Sequence, residues 1–89
     1  VLKYSTIDEV IERANSSEYG LGATVWSAST ERALAVAQRL ETGTVWVNKH
    51  LDLPPNVPYG GSKQSGFGVE MGQQGLEEFT QMRIVNIAK

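Results

Sequence analysis

There is no cysteine in this sequence. Its absence excludes disulfides, thiolate metal sites and a cysteine nucleophile within the chain. His50 is the sole histidine, with no Asp/Ser or second-ligand pattern around it, so neither a catalytic triad nor a metal site is supported, and a structural or solvent-facing role fits it. No charge of one sign dominates: eight Lys and Arg against ten Asp and Glu leave a formal net charge of −2. The two signs are interspersed, and without a basic patch nucleic-acid binding has no electrostatic support. Long hydrophobic runs are also missing; the longest span only a few residues, too few for a membrane-crossing helix.

What is present has the composition of a globular protein: 40% hydrophobic and 20% charged residues in a chain of 89. That length suffices for one small domain, which buries only about 60% of its unfolded surface. The chain opens at Val1, without Met and inside the apolar stretch Val1-Leu2-Lys3-Tyr4. This reads as the end of a strand, and as a segment of something longer.

Thr6-Ile7-Asp8-Glu9 is a capping box, in which a hydroxyl and a carboxylate satisfy free amides at a helix start. Ile7, Val10, Ile11 and Ala14 then form one apolar stripe at i, i+3, i+4 and i+7. Asn15-Ser16-Ser17 ends the helix, and Gly20 and Gly22 bracket a turn. Ala23 to Ser27 is rich in β-formers and reads as a strand. Ser29 or Thr30 caps a second helix, with Glu31 in its first turn and Ala33, Leu34, Val36, Ala37 and Leu40 as its buried stripe. Gly43 stands where a left-handed C-terminal cap is expected. Thr44 to Asn48 is a third strand, apolar enough to lie inside a sheet. The fold class is therefore α/β, with a βαβαβ order that implies parallel strands and right-handed crossovers.

Residues 1–57 form that partial α/β unit. Lys49 to Val57 is a loop, because Pro54-Pro55 excludes helix there. Residues 58–79 hold six of the nine glycines and include a short helix around Met71, Leu76 and Phe79. Residues 80–89 read as a last strand with Met82 and Ile84 on one face and Val85 and Ile87 on the other, an apolar edge that needs a partner.

No catalytic set follows from these parts. Gly61 and Gly66 have phosphate-loop spacing, but Phe67-Gly68 occupies the place of the required Lys-Ser/Thr, and no G-x-G-x-x-G joins a strand to a helix. Glu9, Glu12, Glu77 and Glu78 read as solvated carboxylates. Trp26 and Trp46 read as core or interface. Leu51, Leu53 and Tyr59 are apolar residues in a loop, which fits either a subunit contact or the wall of an apolar ligand site.

Gly43-Thr44-Val45-Trp46-Val47-Asn48, then Tyr59-Gly60-Gly61-Ser62-Lys63-Gln64-Ser65-Gly66, then Gly72-Gln73-Gln74-Gly75-Leu76-Glu77-Glu78-Phe79-Thr80 closely resemble the C-terminal part of the NAD(P)-dependent aldehyde dehydrogenase superfamily. Ala14-Asn15 through Tyr19-Gly20-Leu21, followed by Val25-Trp26, fits as well. The resemblance implies the last part of a catalytic domain plus an oligomerisation strand. It implies a parent enzyme that oxidises an aldehyde to a carboxylate with NAD or NADP through a cysteine thioester, with its cysteine and its water-activating glutamate upstream of this chain. No cofactor is expected to bind the segment alone. Leu51, Leu53 and Tyr59 match substrate-tunnel positions, and their apolar character suggests a hydrophobic aldehyde. Gly43, Asn48, Gly61 and Ser65 match positions that support the active-site architecture.

The implied partners are the rest of the parent chain and a second copy in a homo-oligomer, dimer or tetramer, joined through the C-terminal strand, with no nucleic acid, membrane or metal. The implied location is cytoplasmic. Relatives often carry Ser-Gly-x-Gly-Arg-Glu, where this chain has Val69 in place of the arginine before Glu70. They often carry an acidic residue at the position of Gln81. If those two groups normally pair, both are gone together and no charge is left unpaired. The competing reading is a stand-alone, non-catalytic α/β assembly module.

Overall fold

The computed structural model describes all 89 residues. The first helix, α1 (Ile7–Asn15), starts where the capping residues stand: the Thr6 hydroxyl accepts the Glu9 amide at 3.1 Å. The box closes one residue early. The Glu9 carboxylate takes the Ser5 amide at 2.8 Å, not that of Thr6, and pairs with Arg13 one turn on at 2.6 Å. Ile11 is the buried residue of the apolar stripe, while Ala14 at its end is exposed.

Two short strands follow, β1 (Tyr19–Gly20) and β2 (Gly22–Val25), then helix α2 (Thr30–Ala37) and strand β3 (Thr44–Val47). Ser29 is the cap of α2, its hydroxyl accepting the Arg32 amide at 3.3 Å. Strands β2 and β3 pair in parallel, Gly22 opposite Thr44 through Val25 opposite Val47, with α2 as the crossover. Small residues on the inner face of α2, Ala33 and Ala37, are buried with Trp46 of β3, which lets the helix lie close to the two-stranded sheet.

The glycine segment folds back instead of extending. It contains β4 (Tyr59–Gly60), β5 (Ser62–Lys63), β6 (Val69–Glu70) and a short helix, α3 (Gly72–Glu77). β4 pairs antiparallel with β6, and β5 pairs antiparallel with β1, Gly20 opposite Ser62. The segment is thereby sewn onto residues more than forty positions earlier.

Besides Leu34, expected in the buried stripe of α2 but exposed, the structure departs from the sequence reading in three larger ways. Residues 1–5 form no strand, so the parallel sheet has two strands and the unit is βαβ, not βαβαβ. Residues 80–88 likewise form no strand, and their apolar side chains are exposed. The cause is common to both: an extended segment becomes a strand only when another chain edge offers amides and carbonyls to pair with, and none lies beside these two. The third departure is Gly43. Helix α2 ends at Ala37 with Gln38 as its cap, and Gly43 does not have a positive φ. It is needed for close approach: a Cβ there would lie 1.8 Å from the Gly60 carbonyl oxygen.

Only six of the 89 residues are buried. The radius of gyration is 17.5 Å, against about 12 Å for a compact domain of this length. The excess lies along one axis of 65 Å.

Candidate functional site

The carboxyl end of β3 runs into a loop whose backbone is held in an unusual shape. Asn48 and Leu51 both have left-handed φ, 54° and 52°. Asparagine tolerates this conformation, but leucine does so at a cost of about 1–2 kcal/mol. Asn48 is fixed at both ends: its amide donates to the Val25 carbonyl at 2.9 Å, and its Oδ1 accepts the Ser27 amide at 2.9 Å. It thus ties the end of β3 to the end of β2.

Beyond it, Trp46 organises the loop from below. Its indole Nε1 donates to the Asp52 carbonyl at 2.8 Å. The ring centroid lies 6.3 Å from that of Tyr59, and 5.7 Å from that of His50 in an edge-on arrangement. His50 Nδ1 also meets the Thr24 hydroxyl at 2.8 Å, so the single histidine is a loop anchor.

Neither of the two main cavities holds all three tunnel candidates. Leu51 is 59% exposed, and Leu53 is half-buried. Tyr59 lines a shallow cleft of about 560 Å³ together with Gly61, Ser65, Leu21, Val69 and Phe79. Three of the sequence-selected residues thus do meet, at the junction of β4 and the glycine segment. A larger apolar groove of about 860 Å³ lies between α1, α2 and β2, and none of the expected site residues lines it.

Gly61 and Ser65 act as a pair. A Cβ on Gly61 would come within 2.7 Å of the Ser65 Cβ, and the Ser65 hydroxyl accepts the amide of buried Gly20 at 2.9 Å. The sequence reading missed two neighbours. The Ser62 hydroxyl donates between the carbonyls of Gly20 and Glu41, at 3.2 and 3.1 Å. Lys63, itself left-handed at φ 54°, sends its ammonium to the carbonyls of Asn15 and Ser17 at 2.7 and 3.3 Å, and pairs with Glu41 at 2.7 Å. A cation at helix-terminal carbonyls is a familiar cap. The signal was a lone lysine inside a glycine run, but its target lies nearly fifty residues away and no local pattern points to it.

Four amides of the glycine segment are already given to protein carbonyls: Gln64 to Glu18, Ser65 to Ser62, Gly66 to Lys63 and Gly72 to Pro55. A phosphate cradle needs such amides free and convergent. Those four amides are therefore not free to hold a nucleotide phosphate. No group of three or more His, Cys, Asp or Glu side chains is placed to hold a metal ion, and no helix is long and apolar enough to cross a membrane.

Comparison with known proteins gives a consistent picture. A model described as "Aldehyde dehydrogenase family" matches residues 1–85. The rat protein "Aldehyde dehydrogenase, cytosolic 1" is 48% identical over 85 residues, covering 96% of this chain and 17% of the rat protein. Succinic semialdehyde dehydrogenase from Streptococcus pyogenes, solved in complex with NADP+, superposes with a TM-score of 0.86 at 40% identity, over 97% of this chain and 19% of that one. An NAD+ complex of aldehyde dehydrogenase from Bacillus cereus superposes with a TM-score of 0.84 at 44% identity, over 90% of this chain and 16% of that one. The chain spans about a sixth of the length of the relatives it matches.

Proposed function

Because this chain belongs to the aldehyde dehydrogenase family, we propose that it is the C-terminal segment of an enzyme that oxidises an aldehyde to a carboxylate with NAD or NADP. Within that enzyme it supplies substrate-tunnel wall and subunit contacts, and the rest of the parent chain supplies the chemistry. The reaction class needs a nucleophile to attack the aldehyde carbonyl, an acceptor for the hydride and a base to activate the water that releases the acid. A cysteine thioester is the covalent intermediate of this reading, and the chain has no cysteine to form it. Cofactor binding belongs to the same upstream portion.

One observation carries the assignment of a wall and contact role: the apolar surface has no cover within the chain. Leu51, Phe67, Phe79, Met82, Ile84 and Ile87 are all exposed, far more than a self-sufficient module leaves in water. The same exposure weighs against a stand-alone assembly module. Leu51, Leu53 and Tyr59 present apolar groups around the end of β3 and fit a hydrophobic aldehyde. Gly43, Asn48, Gly61 and Ser65 hold the segments that carry them. Residues 80–88 pair with a second copy of the chain, giving a dimer or tetramer, and the enzyme acts in the cytoplasm.

The test is kinetic. The purified 89-residue chain, mixed with NAD or NADP and an aldehyde, forms no NADH or NADPH, whereas the full-length chain that contains it does. In the full-length chain, Leu51→Ala and Tyr59→Ala raise KM for a hydrophobic aldehyde. Cofactor reduction by the isolated chain, or a KM indifferent to both substitutions, contradicts the assignment.

A further inference from the structure

Resting on the tunnel-wall reading above, we propose that Trp46 is the positioning residue that fixes the spacing of Leu51, Leu53 and Tyr59, and so sets which apolar aldehydes the wall admits. Leu51 and Leu53 flank Asp52, whose carbonyl takes the Trp46 indole N–H at 2.8 Å. That bond immobilises the main chain between the two leucines. Tyr59 comes from a different piece of chain, β4, yet packs against the same ring at 6.3 Å. Two separate segments are therefore referenced to one rigid side chain.

The ring itself cannot move. Trp46 is 5% exposed, and it lies so close over Gly22 of β2 that a Cβ there would be 2.9 Å from its Cζ3. His50 also meets it edge-on at 5.7 Å and is itself tied to Thr24. Leu51 and Leu53 do not line the cleft that Tyr59 lines; what the three have in common is the indole, bonded between the leucines and packed on the tyrosine. Such a group touches no substrate. It acts on apolar substrate chains long enough to reach the wall and leaves the carbonyl chemistry untouched, so its signature is in KM for long aldehydes and not in kcat.

Two changes to the full-length chain carrying these residues test this. Trp46→Phe removes the donor and part of the ring. Replacement of Trp46 by benzothienylalanine keeps the shape and removes only the N–H. Both are assayed with acetaldehyde and with hexanal, beside Leu51→Ala and Tyr59→Ala. KM for hexanal should rise about threefold to tenfold, the factor equivalent to one neutral hydrogen bond. The kcat values and KM for acetaldehyde should stay within about twofold, since only uniform binding of the longer chain is lost and the chemistry is untouched. Equal loss of kcat toward both aldehydes with KM unchanged marks a merely structural tryptophan and overturns the proposal. If Leu51→Ala and Tyr59→Ala raise KM for hexanal while both Trp46 replacements leave it unchanged, the proposal fails and the tunnel wall stands. If none of the four moves it, the tunnel-wall reading fails and the proposal falls with it.

Discussion

Single atoms decide much of this structure. At Gly43 the added methyl of alanine would meet the Gly60 carbonyl oxygen at 1.8 Å, and backbone cannot swing aside as a flexible side chain could. Gly43→Ala should therefore destabilise the chain by about 1–3 kcal/mol, the usual cost of overpacking. In a thermal melt that is a fall of about 4–8 °C for each kcal/mol in a domain of this size. At Ser65 the loss is of a different kind. Ser65→Ala leaves the buried Gly20 amide without its acceptor, costing about 1–3 kcal/mol. Hydrogen exchange should show it locally, with faster exchange of the Gly20 amide while the β2–β3 ladder keeps its protection. Uniform acceleration across both would mean that the hydroxyl serves global stability alone.

The elements were legible to different degrees. Helices α1 and α2 could be read because their caps and stripes are local: Thr6 and Ser29 accept amides three residues on, as their chemistry requires. The parallel pairing of β2 with β3 followed from the crossover rule. The strands expected at residues 1–5 and 80–88 share the β-like composition of β2 and β3 but have no neighbouring edge, and composition alone cannot supply one. Among the expected site residues, Asn48, Gly61 and Ser65 were named from family resemblance, and the structure gives their contacts: Asn48 accepts the Ser27 amide, Gly61 lies close to Ser65, and Ser65 accepts the Gly20 amide. Ser62 and Lys63 were invisible because their partners, Glu41, Asn15 and Ser17, are brought near only by the finished fold. Lys63 joins two elements, and the prediction belongs at this scale. Lys63→Met should unfasten β5 from the end of α1, lowering helix protection in the last turn of α1 more than in its first. Lys63→Arg, which keeps a donor of similar reach, should restore part of it.

The whole molecule is long and thin, and one end of it exposes a run of apolar side chains. Its long axis measures 65 Å, and Met82, Ile84, Val85 and Ile87 are exposed at its C-terminal end, the surface that the proposed subunit contact would cover. Self-association should follow from the 80–88 segment: in sedimentation, the intact chain should form dimers or larger species, and a chain ending at Phe79 should shift toward monomer. Replacing Ile84 and Ile87 by Lys should do the same without shortening the backbone, because charge on an unpaired edge blocks strand addition. A monomer at high concentration for the intact chain would remove the basis for pairing through this segment.

The contacts that fasten the glycine segment also bear on how the chain acquires its shape. Gly20 with Ser65 and Asn15 with Lys63 join residues 45 and 48 positions apart, whereas the βαβ unit closes within about half that span. Closing the longer loop takes more chain entropy and yields contacts of higher order, so it comes late. The order of assembly is then helix and parallel pair first, glycine clip last. On the way back the clip opens first, at a free energy below that of global unfolding. A protease probing the native chain would thus cut near Gly66–Gly68 before it touched α2, releasing the apolar terminal segment from an otherwise folded remainder.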